Sequence, residues 1–346
     1  MKKVLVGLSG GVDSAVSAIL LKEAGYEVIA ITFKFIKDFD STDAINIAKK
    51  LNIEHHIIDY QREFKEEIID KFLEEYKNGF TPNPCVLCNK KVKLKFLYDQ
   101  LKVYNCDFIA TGHYAKLENN KLYKGRDELK DQTYFLCETP KEILNKLLLP
   151  LEKITKEETR KIATKYDLDV ANKKDSTDVC FISKKFKEYI KTAVKCTKGD
   201  IIDVDRKKVI GTHQGLVNYT IGQRRGLNIG GCTDRTFVVG KDLAKNILYV
   251  SIGNEENLLS DSCILEDVNW LSDKKIYECF AQFRYHSKFI PVKLEFLENN
   301  KIKVVYKNGV KSVTPGQICA LYLDDECLGG GTIKNIRKNN QELWYQ

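Results

Sequence analysis

The chain has 346 residues, of which 43% are hydrophobic, and a formal net charge of +8. That length exceeds one typical domain and that apolar content supports a sizeable core, so two or three globular units are expected. No apolar run approaches the ~20 residues of a membrane span, which excludes an integral membrane protein built on long helices.

The opening Met1-Lys2-Lys3 leads into an apolar stretch that stops at Ser9-Gly10-Gly11, a pattern unlike a signal peptide. A cytoplasmic location without membrane contact is therefore expected. In that setting the eleven cysteines read as thiols, metal ligands or redox groups, not as a disulfide scaffold. The positive charge fits a polyanionic partner such as RNA, and equally a solvated basic surface.

In chain order, residues 3–8 read as a strand, 13–23 as a helix, 28–33 as a strand and 43–51 as a helix. Residues 54–59 follow as a strand, 64–76 as a helix, 90–104 as a helix and 108–111 as a short strand. Alternating strands and helices predict a doubly wound parallel sheet covered on both faces, with ligands at the carboxyl ends of its strands. Thr155 and Glu158 form a capping-box pattern before a helix that runs to about Tyr166. Beyond residue 193 the segments shorten and β-branched residues become frequent. Strands are predicted at 201–204, 208–211, 236–239, 247–251, 278–285, 292–297 and 301–306, with hairpin turns at Asn299-Asn300 and Asn308-Gly309.

The most informative segment is Gly7-Leu8-Ser9-Gly10-Gly11-Val12-Asp13-Ser14, placed between the first strand and first helix. Its glycines let backbone approach an anion, and the helix start presents unpaired N–H groups and a positive dipole end. It differs from the Walker A loop, for no Lys is present to hold the outer phosphates. Such a loop suits a leaving pyrophosphate and chemistry at the α-phosphate, that is, adenylation.

A second segment is Thr81-Pro82-Asn83-Pro84-Cys85-Val86-Leu87-Cys88-Asn89-Lys90. Its prolines argue against helix there, with helix resuming near Asn89. Cys88 would then sit at a helix N-terminus beside Lys90 and Lys91, which predicts a lowered thiol pKa. Cys85-x-x-Cys88 alone fits half a metal site, a redox pair or chance. Cys180, in Asp175-Ser176-Thr177-Asp178-Val179-Cys180-Phe181-Ile182, reads either as a core filler or as a second reactive thiol. Thr111-Gly112-His113 follows a predicted strand on the side of the phosphate loop. His113 reads as structural or functional, and Lys130-Asp131-Gln132 as a solvated turn or a site.

These segments, in this order, resemble the bacterial tRNA-specific 2-thiouridylases over essentially the whole chain. Further matches are Gly211-Thr212-His213-Gln214-Gly215, residues 219–227, Phe283-Arg284-Tyr285, Thr314-Pro315-Gly316-Gln317 and Gly329-Gly330-Gly331. The resemblance implies an adenine-nucleotide α-hydrolase-like catalytic domain over residues 1–192. A small central β-rich domain over 193–258 and a C-terminal β-barrel domain over 259–346 would follow.

It also implies ATP on Gly7, Leu8, Ser9, Gly10, Gly11, Val12, Asp13 and Ser14, with Phe33 and Gly112 lining the nucleotide site and Mg²⁺ accompanying the phosphates. ATP would adenylate the C2 oxygen of the wobble uridine in a tRNA anticodon. Cys180 would carry persulfide sulfur from a sulfur-relay protein. Cys88 would release that sulfur to C2 and end in a disulfide with Cys180, reset by a thiol reductant. Asn83, Pro84 and Cys85 would line the pocket of the flipped base. His113, Lys130, Asp131, Gln132, Arg284, Tyr285 and Gln317 would contact tRNA.

The chain departs from the family pattern at Cys85, where many members carry Asp, and in a shorter loop over residues 33–43. Cys85, Cys88 and Cys180 together supply three thiolates, enough for a [4Fe–4S] cluster with one open iron site. Thiolation through such a cluster is the alternative to the persulfide route. Another adenylating ligase, or a non-catalytic RNA-binding protein, are more distant readings that leave the paired thiols unexplained.

Overall fold

A computed structural model describes residues 1–174, 179–182, 186–194, 196–230 and 234–343. The motif residues Asp175, Ser176, Thr177 and Asp178 lie outside these. Strands β1 (Lys3–Gly7), β2 (Glu27–Lys34), β3 (Glu54–Asp59) and β4 (Phe108–Ala110) precede the hairpin of β5 (Ala115–Glu118) and β6 (Lys121–Lys124) and the short β7 (Leu147–Leu148). Five of them form a parallel sheet in the order β3-β2-β1-β4-β7.

The sheet is covered on both faces, which is why β1 is a continuous apolar run. Val4 and Val6 pack with Ala15, Val16 and Ile19 of the helix Val12–Glu23, while Leu5 packs with Leu94 and Leu97 on the other face. The strand order reverses between β1 and β4, and the carboxyl ends of those two strands flank a crevice. Such a switch point is where open α/β sheets bind ligands.

The central unit is a four-stranded sheet of β8 (Gly199–Asp203), β9 (Lys208–His213), β10 (Thr236–Asp242) and β11 (Ile247–Ile252), in the order β10-β11-β8-β9. Ile201, Phe237, Val238 and Val250 form its own core. The last unit contains β12 (Leu259–Trp270), β13 (Glu278–Gln282), β14 (Ile290–Phe296), β15 (Ile302–Lys311), β16 (Ile318–Leu323) and β17 (Glu326–Lys338). Pairing runs β12-β15-β14-β13-β16-β17 and returns from β17 to β12, closing a barrel and removing its open edges. The β5–β6 hairpin of the first domain extends the barrel wall, with Tyr123 opposite Glu326 and Leu122 opposite Cys327.

Three sequence expectations need correction. Helix does not wait for Asn89: it begins at Pro84 and runs through Cys88, a π-turn at Asn89–Lys93 and Leu94–Gln100. Proline is compatible with the first helical position because the N–H it lacks would have no intrahelical partner, and Asn83 caps the two donors that follow. Second, the predicted 64–76 helix starts earlier, at Gln61, and also contains a π-helical stretch, Lys65–Asp70. Third, Asn308-Gly309 does not join two strands. Both residues have positive φ (64° and 66°), yet Ser260 pairs with Val310 and Ser262 with Val305, so the turn bulges out of β15 while both flanks stay on β12. Asn299-Asn300 does make the turn between β14 and β15, with φ of 56° at both.

Barrel closure leaves no room at Gly329. Its φ is +121°, and a Cβ there would lie 1.9 Å from the Asn269 carbonyl oxygen on β12. Gly329→Ala should therefore lower unfolding free energy by about 2 kcal/mol or more and lower Tm, as a urea or thermal melt would register.

Candidate active site at the switch point

The phosphate-loop residues occupy the turn between β1 and the helix Val12–Glu23. Gly11 is the N-cap and no side chain caps that helix, so its leading N–H groups lack a side-chain acceptor. Gly10 takes φ +78°, and a Cβ on it would lie 3.1 Å from Asp43 Cβ. Ser9 and Ser14 brace the loop: Ser9 N–H donates to Ser14 Oγ at 3.2 Å, and Ser14 Oγ donates to the Gly11 carbonyl at 3.0 Å. From β2, Thr32 donates its hydroxyl to the Leu8 carbonyl at 2.5 Å and lies 2.8 Å from His55 Nε2.

Across the crevice, Gly112 follows β4 and packs on the helix start. A Cβ on it would fall 2.7 Å from the Asp13 carbonyl carbon and 2.8 Å from Ser14 N. Only glycine permits that approach, which keeps the two sides of the switch point in contact. His113 is buried, with Nδ1 2.8 Å from Thr111 Oγ1. Burial, then the Lys93 ammonium, pushes its imidazole pKa down to about 3, so it is neutral.

Asp13 has a partner that sequence inspection missed. Lys156, the first residue of the helix Lys156–Lys165, donates from Nζ to both Asp13 carboxylate oxygens at 2.7 Å, and Tyr114 OH donates to Oδ1 at 2.8 Å. The capping box of Thr155 and Glu158 fixes that helix start, as the sequence pattern indicated. The cap was therefore the available signal for Lys156, although nothing local pointed to Asp13.

The thiols lie on the helix Pro84–Cys88 and in the segment 179–182. Asn83 Oδ1 accepts from Cys85 N at 3.2 Å and Val86 N at 3.4 Å, setting the start of the cysteine helix. Cys88 is buried against Phe64, Phe72, Val92 and Phe181, so the Cys180–Phe181 segment packs over the Cys88 helix. Cys85 and Cys180 are exposed residues. The three thiols are near enough to influence one another: Cys85 and Cys180 both push up the Cys88 pKa.

The expected low Cys88 pKa is reversed. Burial dominates and pushes it up to about 12; Cys85 and Cys180 keep part of their surface in water, but desolvation of their sulfurs raises them as well. The cation that opposes burial at all three is Lys93, not Lys90 or Lys91. Lys90 instead pairs with the buried Glu138 at 3.0 Å. The π-turn explains the change, since it widens the helix so that residues five apart share a face, and Lys93 follows Cys88 by that interval.

The remaining expected site residues are spread more widely. Phe33 is buried in an aromatic group with Phe35, Tyr60 and Phe96, so its ring belongs to the core. Asp131 accepts from Gly125 N and from the Thr133 hydroxyl at 2.6 Å, and Gln132 Oε1 accepts from Tyr114 N at 3.0 Å. Both side chains thus hold the segment beside His113, and Lys130 is half-buried next to them. On the barrel, Arg284 is exposed and donates to Thr314 Oγ1 at 3.2 Å, and Tyr285 lies 4.4 Å from the Phe135 ring. Gln317 is buried, with its amide donating to the Thr81 carbonyl at 2.6 Å.

A parallel sheet with an uncapped, glycine-entered helix at its switch point is the arrangement of a nucleotide-binding α/β domain. Residues 2–184 match a tRNA methyl transferase HUP domain, 187–252 a tRNA methyl transferase PRC-barrel domain, and 260–333 an aminomethyltransferase beta-barrel domain. The chain is 40% identical to the tRNA-specific 2-thiouridylase MnmA of Mycoplasmopsis pulmonis, over 100% of both chains. It is 42% identical to that of Mycoplasma capricolum, over 97% of this chain and 100% of the relative. The chain belongs to the tRNA-specific 2-thiouridylase family.

Two outcomes follow from the geometry. Lys156→Met removes the cation that neutralises Asp13 and should cost about 1 kcal/mol or more of stability, with weakened ATP binding in a titration calorimeter. Because the folded His113 pKa lies below its ordinary value of 6.5, its contribution is complete above pH 6.5 and is lost as pH falls from there toward 3. The urea midpoint of the wild type should therefore fall more steeply over that window than that of His113→Gln.

Proposed function

We propose that this chain catalyses ATP-dependent 2-thiolation of the wobble uridine in tRNA anticodons, with sulfur delivered from a cysteine persulfide. The observation that supports this reading is the pairing, within one fold, of an uncapped phosphate loop lacking a Walker lysine with a Cys88 buried in an apolar cluster that Phe181, the neighbour of Cys180, also joins. A ligase acting on a small acid needs the loop but not the thiols. An RNA-binding module needs neither.

The chemistry divides between the two rims. At the loop, the leading N–H groups of the helix Val12–Glu23 and its dipole stabilise the pyrophosphate that leaves when the uridine C2 oxygen attacks the α-phosphorus. Mg²⁺ would arrive as the counterion of ATP. It would be held through the phosphate oxygens, since Lys156 and Tyr114 already occupy the Asp13 carboxylate. Adenylation converts the C2 oxygen into part of an AMP leaving group.

At the thiol rim, the terminal sulfur of a Cys180 persulfide attacks C2 and AMP departs with the former uridine oxygen. A Cys88 thiolate then attacks the Cys180 sulfur. The S–S bond to the transferred atom breaks, leaving 2-thiouridine and a Cys88–Cys180 disulfide. A thiol reductant supplied by the cell, and a sulfur-relay protein that loads Cys180, complete the cycle. The target base must leave its stack for C2 to be reached, and Asn83, Pro84 and Cys85 stand beside the thiols to receive it. Arg284, Tyr285 and Lys130 suit phosphate and base contacts on the RNA.

The Cys88 thiol is protonated at neutral pH in this conformation, since burial sets its pKa near 12. Substrate binding that brings Lys93 closer or opens the apolar cover would release the thiolate. The iron–sulfur alternative fits these residues less well. Among the described residues no three His, Cys, Asp or Glu side chains converge as metal ligands, although Cys85, Cys88 and Cys180 are all described. No step is therefore assigned to a cluster.

Cys180→Ser should lower 2-thiouridine formation by about 100-fold or more while tRNA-dependent AMP formation persists, measured by nucleoside mass spectrometry and AMP release. Cys85→Asp, prepared without oxygen beside the wild type, should keep activity, and both proteins should carry far less than one equivalent of iron. Loss of activity in that variant with stoichiometric iron in the wild type would overturn the persulfide route.

A further inference from the structure

Residues 79–82 of the first domain contain no reactive group, yet both other domains grip them. From the central domain, Lys241 on β10 is buried and donates from Nζ to the Gly79 carbonyl at 2.9 Å. Thr220, also from that domain, has its hydroxyl 3.2 Å from the Thr81 hydroxyl. From the barrel, the turn before β16 takes both backbone groups of Thr81: its N–H donates to the Pro315 carbonyl at 3.0 Å, and its carbonyl accepts from Gln317 Nε2 at 2.6 Å.

Gly316 makes this approach sterically complete. Its φ is +89°, and a Cβ would fall 2.8 Å from Thr81 N and 2.9 Å from Phe80 Cβ. Lys334 on β17 places its ammonium 4.5 Å from the Phe80 ring centroid. Two residues beyond Thr81, Asn83 caps the helix that carries Cys85 and Cys88. With Pro82 and Pro84 stiffening the intervening chain, a displacement of Thr81 is passed on to the cap and the thiols.

We propose that Gln317 is a positioning residue for sulfur transfer: by holding the Thr81 carbonyl it sets where the Asn83-capped helix presents its cysteines, and so couples the barrel to the thiols. This inference rests on the thiolation reading. It assigns this side chain a role distinct from the tRNA contact that the family resemblance implied, on the ground that Gln317 is only 8% exposed and its amide donates to Thr81. Small errors in placing reacting groups lower rates severely, whereas they leave substrate affinity from distant contacts nearly intact.

The test compares the full-length wild type with Gln317→Met, which keeps length and packing but removes the donor. Thr220→Val releases the same Thr81 from the central domain without touching the barrel. Three quantities are measured: the tRNA dissociation constant, kcat at saturating tRNA, and the iodoacetamide alkylation rate of Cys85 and Cys88 in the protein alone.

For Gln317→Met the expected result is a tRNA Kd within about twofold of wild type, kcat lower by about tenfold or more, and faster thiol alkylation. Thr220→Val should shift kcat and alkylation in the same direction by a smaller factor, and the double variant should be non-additive because both act through Thr81. A Kd raised about tenfold with kcat and alkylation unchanged would make Gln317 a tRNA contact and overturn the proposal. Unchanged kcat and alkylation in both variants would overturn it too. If Gln317→Met does not fold, Thr220→Val decides by the same criteria. If the wild type forms no 2-thiouridine, the thiolation reading fails, and the alkylation comparison still decides whether this joint positions the thiols.

Discussion

The site depends on keeping one helix N-terminus electropositive and uncovered. The helix Val12–Glu23 begins at Gly11 without a side-chain cap, so its leading N–H groups remain available. Asp13 in the first turn would by itself compete with a phosphate for that positive end. Lys156 neutralises it through a two-oxygen contact at 2.7 Å, and Tyr114 holds one of the same oxygens. The strand reversal between β1 and β4 supplies the crevice, and Gly112 lets its far wall close on the helix start.

The sulfur side obeys a different constraint. In the proposed reaction a thiol near an activated base has to stay unreactive until that base is present, and burial would provide this. Cys88 lies under Phe64, Phe72 and Phe181, where its proton is hard to remove. Lys93 stands by as the opposing charge at all three thiols. The barrel is joined to the catalytic domain by a shared apolar cluster that includes Leu271, Ile318, Ala320, Tyr322 and Cys327, by strand pairing between β6 and β17, and by the grip on Thr81. A partner bound across the barrel can therefore act on the thiol loop through packed contacts.

Much of this was readable from the residues because it depends on local pattern. The alternation of apolar strands with helices gave the parallel sheet, and the glycines after β1 and β4 marked the switch point. Thr155 and Glu158 gave the Lys156 helix. What escaped was what depends on distant pairing or on exact register. Lys156 meets Asp13 across 143 positions, and Gln317 meets Thr81 across 236. Pro84 starts a helix instead of breaking one because Asn83 stands before it, and the π-turn after Cys88 moves the relevant cation from Lys90 to Lys93. The Cys88 pKa was misjudged for the same reason: helix position and nearby lysines are visible in sequence, while burial under residues as far away as Phe181 is not.

The proposed reaction requires that the uridine C2 oxygen is the atom activated by ATP. The most direct measurement is isotope transfer: tRNA carrying ¹⁸O at C2 of the wobble uridine is thiolated by the wild-type protein, and the released AMP is examined by mass spectrometry. Each AMP coupled to a 2-thiouridine should carry the label. Unlabelled AMP, formed in step with 2-thiouridine, would contradict it and place the activation on another group.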